Sequence, residues 1–476
     1  MTRRRPTRTA WDEVRAAAAS LCVLHSVLDD PAGRLWLDLL EGLASPSPSP
    51  GRLAATYGAL FTRLAGEIEL AGEPLVGDAW QHHVLSRLLD DENPFSRKAE
   101  RAKFSAIGPA LVTQVRSDLT ALQRCYRTGG TAVARAVTRI IGAPPPASWE
   151  EFRPLATSDP RPARHQMMER LARARDWSRL VRDLAGYFAE HGVGLFARSR
   201  AFRWMHDADG RGHLEGVTHP EPIRLDDLVG YELERQPVVD NTRQFVAGLP
   251  ANNVLLYGDR GTGKSSTVKA LLTEFSGLRL IEVAKEHLGD YLQILALLRG
   301  RRERFILFVD DLSFEEHETQ YKALKAALEG SLEARPDNVV LYATSNRRRL
   351  VRERFSDRKG AALDADDVHI EETVQEKLSL ADRFAIHVPF LIPDQDRYVE
   401  IATALAARYG IPLPAGEVRR RALRWSQWHN GHSCRTARQF VDALRGELAL
   451  AKADRSHTPV DGSGGSRSGR RRRRGR

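Results

Sequence analysis

Eight residues in the middle of the chain, Gly258-Asp259-Arg260-Gly261-Thr262-Gly263-Lys264-Ser265, constrain its fold more than any other feature. They match the pattern G-x-x-x-x-G-K-[ST], in which glycines let the backbone turn tightly and aim successive N–H groups at phosphate oxygens. The flanks supply the context that such a turn needs. The apolar run 254–257 reads as a buried strand, and 267–272 continues as a helix whose N-terminal partial positive charge attracts anions. On this reading Gly258, Asp259, Arg260, Gly261, Thr262, Gly263 and Ser266 cradle a nucleoside triphosphate. Lys264 reaches its β- and γ-phosphates, and Ser265 ligates Mg²⁺ through its hydroxyl.

Around Pro220 the texture changes, and short β-rich runs alternate with helical ones at 254–257, 278–283, 305–309, 339–343 and 384–388. Five such strands separated by helices predict a mostly parallel five-stranded sheet covered on both faces, an α/β fold. Residues 222–392 form this subdomain, and 393–452 read as a helical C-terminal lid. Residues 1–221 read as an all-α module, with apolar residues at three- and four-residue spacing over 52–70, 79–89 and 176–188. The proline-serine run at 45–50 reads as an exposed linker within it. His82 and His83 are expected to be surface or partly packed residues, and they form no joint site, since neighbouring positions do not share a helix face. The Gly/Ser- and arginine-rich stretch 453–476 is too polar to fold.

Downstream, the strand 305–309 ends in Asp310-Asp311, which resembles a Walker B motif. Asp310 is placed to hold Mg²⁺ opposite Ser265, and Asp311 to orient an attacking water, with Glu315 and Glu316 as alternatives. An aspartate there is short. Relative to glutamate it withdraws the carboxylate by about 1.3–1.5 Å, and a misplacement near 1 Å can cost about a hundredfold in rate. The strand 339–343 runs into Thr344-Ser345-Asn346. Asn346 can hydrogen-bond both a γ-phosphate and the water, a role open also to Thr344 and Ser345.

Arg383, just before the last strand, and Arg438, in the C-terminal helices, resemble the arginine finger and second sensor of the AAA+ ATPase superfamily. The resemblance spans about 222–448. It implies ATP as the ligand, Arg383 reaching into a neighbouring subunit of a homo-oligomer, and Arg438 or Arg435 meeting the γ-phosphate of its own site. The segment DDLVGYE around Gly230 resembles the start of that module, near the adenine. Within the superfamily, ANNVLLYGDRGTGKSS, FILFVDDLSFEE, ATSNRRRL, EKLSLADRF and the upstream Phe202-Arg203-Trp204 resemble a bacterial ATP-binding group known as domain of unknown function eight-hundred-and-fifteen. That likeness supplies no substrate.

Composition narrows the remaining classes. The net charge is +10, but seven of the last ten residues are arginine, which leaves +3 for everything before them. Nucleic-acid binding therefore rests on the tail and on Arg347-Arg348-Arg349, Arg352, Arg354, Arg358 and Lys359, interrupted by Glu353 and Asp357. Three scattered cysteines, Cys22, Cys125 and Cys434, suit a reducing cytoplasm. No apolar run approaches a membrane span, and 17–24 lacks the flanks of a secretory signal. No LSGGQ-like signature points to a transport ATPase, and no arginine-rich lid with an acceptor pocket points to a phosphotransferase. The expectation is an ATPase coupling ATP binding and slow hydrolysis to remodelling or loading of a client protein. The alternative is an ATP switch associated with nucleic acid.

Overall fold

The computed structural model describes residues 10–69, 74–142, 146–155, 162–218, 220–312, 335–346, 383–429 and 431–456. Seven strands share one sheet: β1 (Ala201–His206), β2 (Gly212–Gly216), β3 (Val254–Gly258), β4 (Leu278–Glu282), β5 (Arg304–Val309), β6 (Val339–Ser345) and β7 (Ile386–Phe390). Their order is β2-β1-β4-β5-β6-β3-β7, parallel throughout except for β2. The five expected strands are β3 to β7, with β7 two residues later than read. Two more strands extend the sheet beyond β4. They correct both the count of five and the all-helical reading of 1–221, since the α/β part begins near 200. Neither strand declares itself locally: β1 mixes Arg203 and His206 with its apolar residues, and β2 is Gly-His-Leu-Glu-Gly. What makes them strands is the edge they complete.

Side-chain alternation builds a core on each face of the sheet. Val254 and Leu256, Ile306 and Phe308, and Val340 and Tyr342 face one side, with Val268 and Leu271 of the helix Lys264–Glu274 and Val238 and Phe245 of the helix Glu232–Val246. Leu255, Phe305, Leu307, Val309, Leu341 and Ala343 face the other, against Ile294, Leu295 and Leu298 of the helix Tyr291–Leu298. Burial on both faces is why these strands are continuous apolar runs. Each such side chain contributes roughly 1.5–3 kcal/mol relative to an exposed one. Three helices follow β7: Gln395–Arg408, Ala415–Trp428 and Cys434–Ser456. The last passes the expected boundary at 452. Residues 457–476 lie outside the described residues. Among the described residues, no helix is long and apolar enough to cross a membrane.

Upstream of the sheet lies a helical module. Trp36 and Leu40 of Pro31–Ala44, Tyr57 and Leu60 of Pro50–Ile68, and Trp80 and Val84 of Ala79–Asp90 share its core, with Trp36 and Trp80 stacked at 4.5 Å between ring centroids. The proline-serine run is an exposed connection between the first two of these helices, which pack on each other. Pro50 takes the first position of its helix, where its missing N–H is not needed.

His82 and His83 are both buried, contrary to expectation. His82 Nδ1 accepts a hydrogen bond from the Val76 N–H, 3.2 Å away. His83 lies between two carboxylates, with Nδ1 2.8 Å from Glu67 Oε2 and Nε2 3.2 Å from Asp30 Oδ1. Burial pushes the imidazole pKa down, but its hydrogen bonds to Asp30 and Glu67 and their charges outweigh this and raise it. Burial likewise acts upward on both acids, yet His83 brings Glu67 below its usual range and Asp30 down to about 2. The result is a clasp that favours the protonated imidazole and joins three helices.

The clasp stabilises the fold fully below the imidazole's ordinary value of 6.5 and is lost as pH rises through its raised value. On the acid side it is present above the carboxylates' ordinary 3.8 and 4.5, and fades as pH falls through their lowered values. The difference in unfolding free energy between the wild type and His83→Leu, measured in denaturant, is expected to peak between about pH 4.5 and 6.5. A difference that does not change with pH would contradict the clasp.

Candidate functional site

The turn after β3 is shaped by a close approach. Gly258 has φ 128°, and a Cβ there would lie 2.2 Å from the Phe390 carbonyl oxygen on β7, its partner in register. Only glycine fits. The Asp259 N–H donates to that same carbonyl at 3.1 Å, while Asp259 Oδ2 accepts from the Ile392 N–H at 3.0 Å. The loop is thereby fastened to the exit of β7. Gly263, with φ 96°, then caps the helix that begins at Lys264. Thr262 Oγ1 donates to the Asp259 carbonyl at 2.8 Å and closes the turn from within.

Lys264 is buried, and its ammonium donates to the carbonyls of Gly258 (2.9 Å) and Asp259 (2.6 Å). Burial pulls its pKa down, against the upward pull of Asp259, Asp311 and Asp310. The motif thus holds its own cation at the mouth of the loop, with three carboxylates near it.

Register brings the other motif residues to this loop. β5 and β6 pair with Val309 opposite Ala343, so that Asp310 follows beside Thr344. By strand alternation, Asp310 and Thr344 continue the rows of Phe308 and Tyr342, on the face that carries the helix Lys264–Glu274. Ser265 Oγ donates to Asp310 Oδ1 at 2.6 Å, and Thr344 Oγ1 donates to the same oxygen at 2.5 Å. Asp311 has φ 54°, a left-handed backbone, and its Oδ1 accepts from Asn346 Nδ2 at 2.6 Å.

These groups line a cavity of about 690 Å³ at the carboxyl ends of the parallel strands. Arg260, Gly261, Thr262, Gly263, Lys264, Ser265 and Ser266 line one wall, and Asp310, Asp311, Thr344 and Asn346 another. Gly258 and Asp259 shape the loop from behind. The C-terminal helices close the third side with Cys434, Arg435 and Arg438, and the Arg435 N–H donates to the Gly261 carbonyl at 3.0 Å. Both arginines weighed for the γ-phosphate of their own site therefore reach the cavity. Arg438 also pairs with Asp442 at 3.4 Å and lies over the Tyr409 ring. Arg383 does not reach it. It precedes β7, at the opposite end of the sheet from the loop. Ser345, buried on the other face, is not among the lining residues.

The cavity is completed by residues that the motifs did not name, including Asp227, Leu228, Val229 and Arg235 before β3 and Ile401 and Leu405 after β7. The first three belong to the segment around Gly230 expected near the adenine; the others carry no local signal. Glu315, Glu316, Arg347, Arg348, Arg349, Arg352, Arg354, Arg358 and Lys359 lie outside the described residues, as does the arginine tail.

A family model described as Protein of unknown function (DUF815) matches residues 197–448, more than half of the chain. No curated protein matches. Among solved structures, Thermotoga maritima RuvB, titled a Holliday junction branch migration motor, is similar at 18% identity over 49% of this chain and 67% of that one, with a TM-score of 0.35. The FIGL-1 AAA domain in complex with ADP is similar at 16% identity over 51% of this chain and 80% of that one, with a TM-score of 0.32. Likeness of this size leaves the chemistry to the residues themselves.

The close approach at Gly258 generates a test of its own. Gly258→Ala is expected to destabilise the protein by about 1–3 kcal/mol or more from backbone strain alone, read from denaturant unfolding. A midpoint equal to the wild type would contradict the described loop.

Proposed function

The chain belongs to this family, DUF815, and from that premise and the cavity we propose that it is an ATP-binding protein of AAA+ type that hydrolyses ATP slowly. The observation that carries the reading is the convergence of Ser265 and Asp310, 2.6 Å apart, beside the buried Lys264 in one cavity. Successive backbone N–H groups of 260–265 and the helix N-terminus receive the phosphates, and Lys264 turns from the loop carbonyls to the β- and γ-oxygens. The donors of Ser265 and Asp310 are all oxygen, which fits Mg²⁺. Bound there, Mg²⁺ would neutralise charge between the β- and γ-phosphates. Asp311 accepts a proton from the attacking water, and Asn346, already bonded to Asp311, orients that water.

Arg435 and Arg438, carried by the C-terminal helices, supply cations to the γ-phosphate. Through them the helices act as a lid whose position reports the nucleotide. Arg383, at the far end of the sheet, serves a neighbouring copy in a homo-oligomer. The lid and the helical module transmit the cycle to a client protein that they remodel or load. Cysteines that form no disulfide among the described residues suit a cytoplasmic setting. A second reading, a weakly hydrolysing switch on nucleic acid, draws on the terminal arginines and the short Asp311.

Calorimetric titration and turnover test the first reading together. Lys264→Ala is expected to lose about 10- to 100-fold in MgATP affinity, the worth of a charge-assisted hydrogen bond. Asp311→Asn is expected to bind MgATP but hydrolyse it about 10²–10⁴-fold more slowly. A wild type without affinity for MgATP would sink the proposal, and an unchanged Asp311→Asn rate would move the water's partner elsewhere. Turnover stimulated by added DNA or RNA would name nucleic acid as the partner in place of a client protein, and tight MgATP binding without turnover would favour the switch. For the shared site, Arg383→Ala should bind ATP without turning it over, and mixing it with Lys264→Ala should recover activity. No recovery, with the ATP-bound protein a monomer, would sink the shared site.

A further inference from the structure

Thr344 sits where three constraints on the second acid meet. Its hydroxyl has one proton, given to Asp310 Oδ1 at 2.5 Å, and with a lone pair it accepts the Asp311 N–H at 2.9 Å. Its carbonyl accepts the Leu312 N–H at 2.7 Å. Thr344 is 1% exposed, so its own hydroxyl is shielded from solvent. The residue they bracket, Asp311, is one of two non-glycine residues with positive φ among the described residues. Side chains resist that left-handed region, aspartate and asparagine least.

We propose that Thr344 is a positioning residue: it holds Asp311 in the left-handed turn and so aims the short carboxylate at Asn346 and the phosphate end of the cavity. The proposal rests on the reading of Asp311 as the water's partner, and it gives the aspartate a reason. A backbone turned left-handed carries the carboxylate to Asn346 Nδ2 at 2.6 Å without the additional methylene. A glutamate would fit that backbone less readily. A Thr344 that were only a satisfied buried hydroxyl would affect stability and leave the chemistry alone.

The two cases separate in the kinetics. Thr344→Val, close in shape but without the hydroxyl, is expected to lower kcat about a hundredfold, the cost of a misplacement near 1 Å, with KM for MgATP nearly unchanged. Thr344→Ser, which restores both hydrogen bonds, is expected to recover most of that loss. A kcat for Thr344→Val within a few-fold of the wild type, or a serine variant as slow as the valine one, would overturn the proposal.

A double-mutant cycle tests the turn without any turnover. Thr344→Val should lower the denaturation midpoint more in the wild-type background than in Asp311→Gly, because glycine adopts the left-handed turn unaided. Equal shifts in both backgrounds would overturn the hold of Thr344 on Asp311. If the wild type hydrolyses no ATP, the ATPase reading fails and this cycle alone decides the positioning claim.

Discussion

One carboxylate oxygen organises the site. Asp310 Oδ1 receives the Ser265 hydroxyl from the helix after β3 and the Thr344 hydroxyl from β6, at 2.6 and 2.5 Å. Both bonds form only if β3, β5 and β6 lie in one parallel register, with even-numbered residues of β5 and β6 on the face of that helix. The apolar rows behind the site set this register, since a slip by one residue would send Phe308 and Tyr342 to the wrong core and Asp310 with them. The hydrophobic cores and the polar site are therefore one constraint seen from two ends. Charge placement derives from it, because Lys264 is buried at the point where Asp310 and Asp311 leave β5.

A second constraint ties the loop to the C-terminal helices. Gly258 allows the backbone of β7 to come so near that no side chain fits between, and Asp259 fastens to Phe390 and Ile392. The segment leaving Ile392 leads directly to those helices, whose Arg435 N–H returns to Gly261. The loop thus touches the segment that enters the helical unit at Asp259, and a helix of that unit at Gly261. A shift of the loop on binding an anion has a short mechanical path to that unit.

Much of this was legible in the sequence, for physical reasons that differ by element. The strands β3 to β7 are buried on both faces and appear as apolar runs, and the loop announces itself by glycines at fixed spacing. The hairpin β1–β2 was not legible, because Gly212, His213 and Glu215 owe their strand conformation to β1 and β1 owes its own to β4. His83 was misread for a similar reason: the carboxylates that hold it lie 53 and 16 residues away. Asp310, Asp311 and Asn346 could be named as candidates. The left-handed turn at Asp311, and the part of Thr344 in it, depend on a contact between two strands that no local pattern records. Arg438 and Arg435 could not be ranked from spacing, and both line the cavity.

The central claim is that the loop after β3 and the C-terminal helices enclose a triphosphate together. Backbone amide hydrogen exchange, compared with and without millimolar MgATP, tests it most directly, since exchange reports local opening segment by segment. The account predicts slower exchange over 258–266 and, in the same sample, over 433–438. Unchanged exchange over either segment would contradict it.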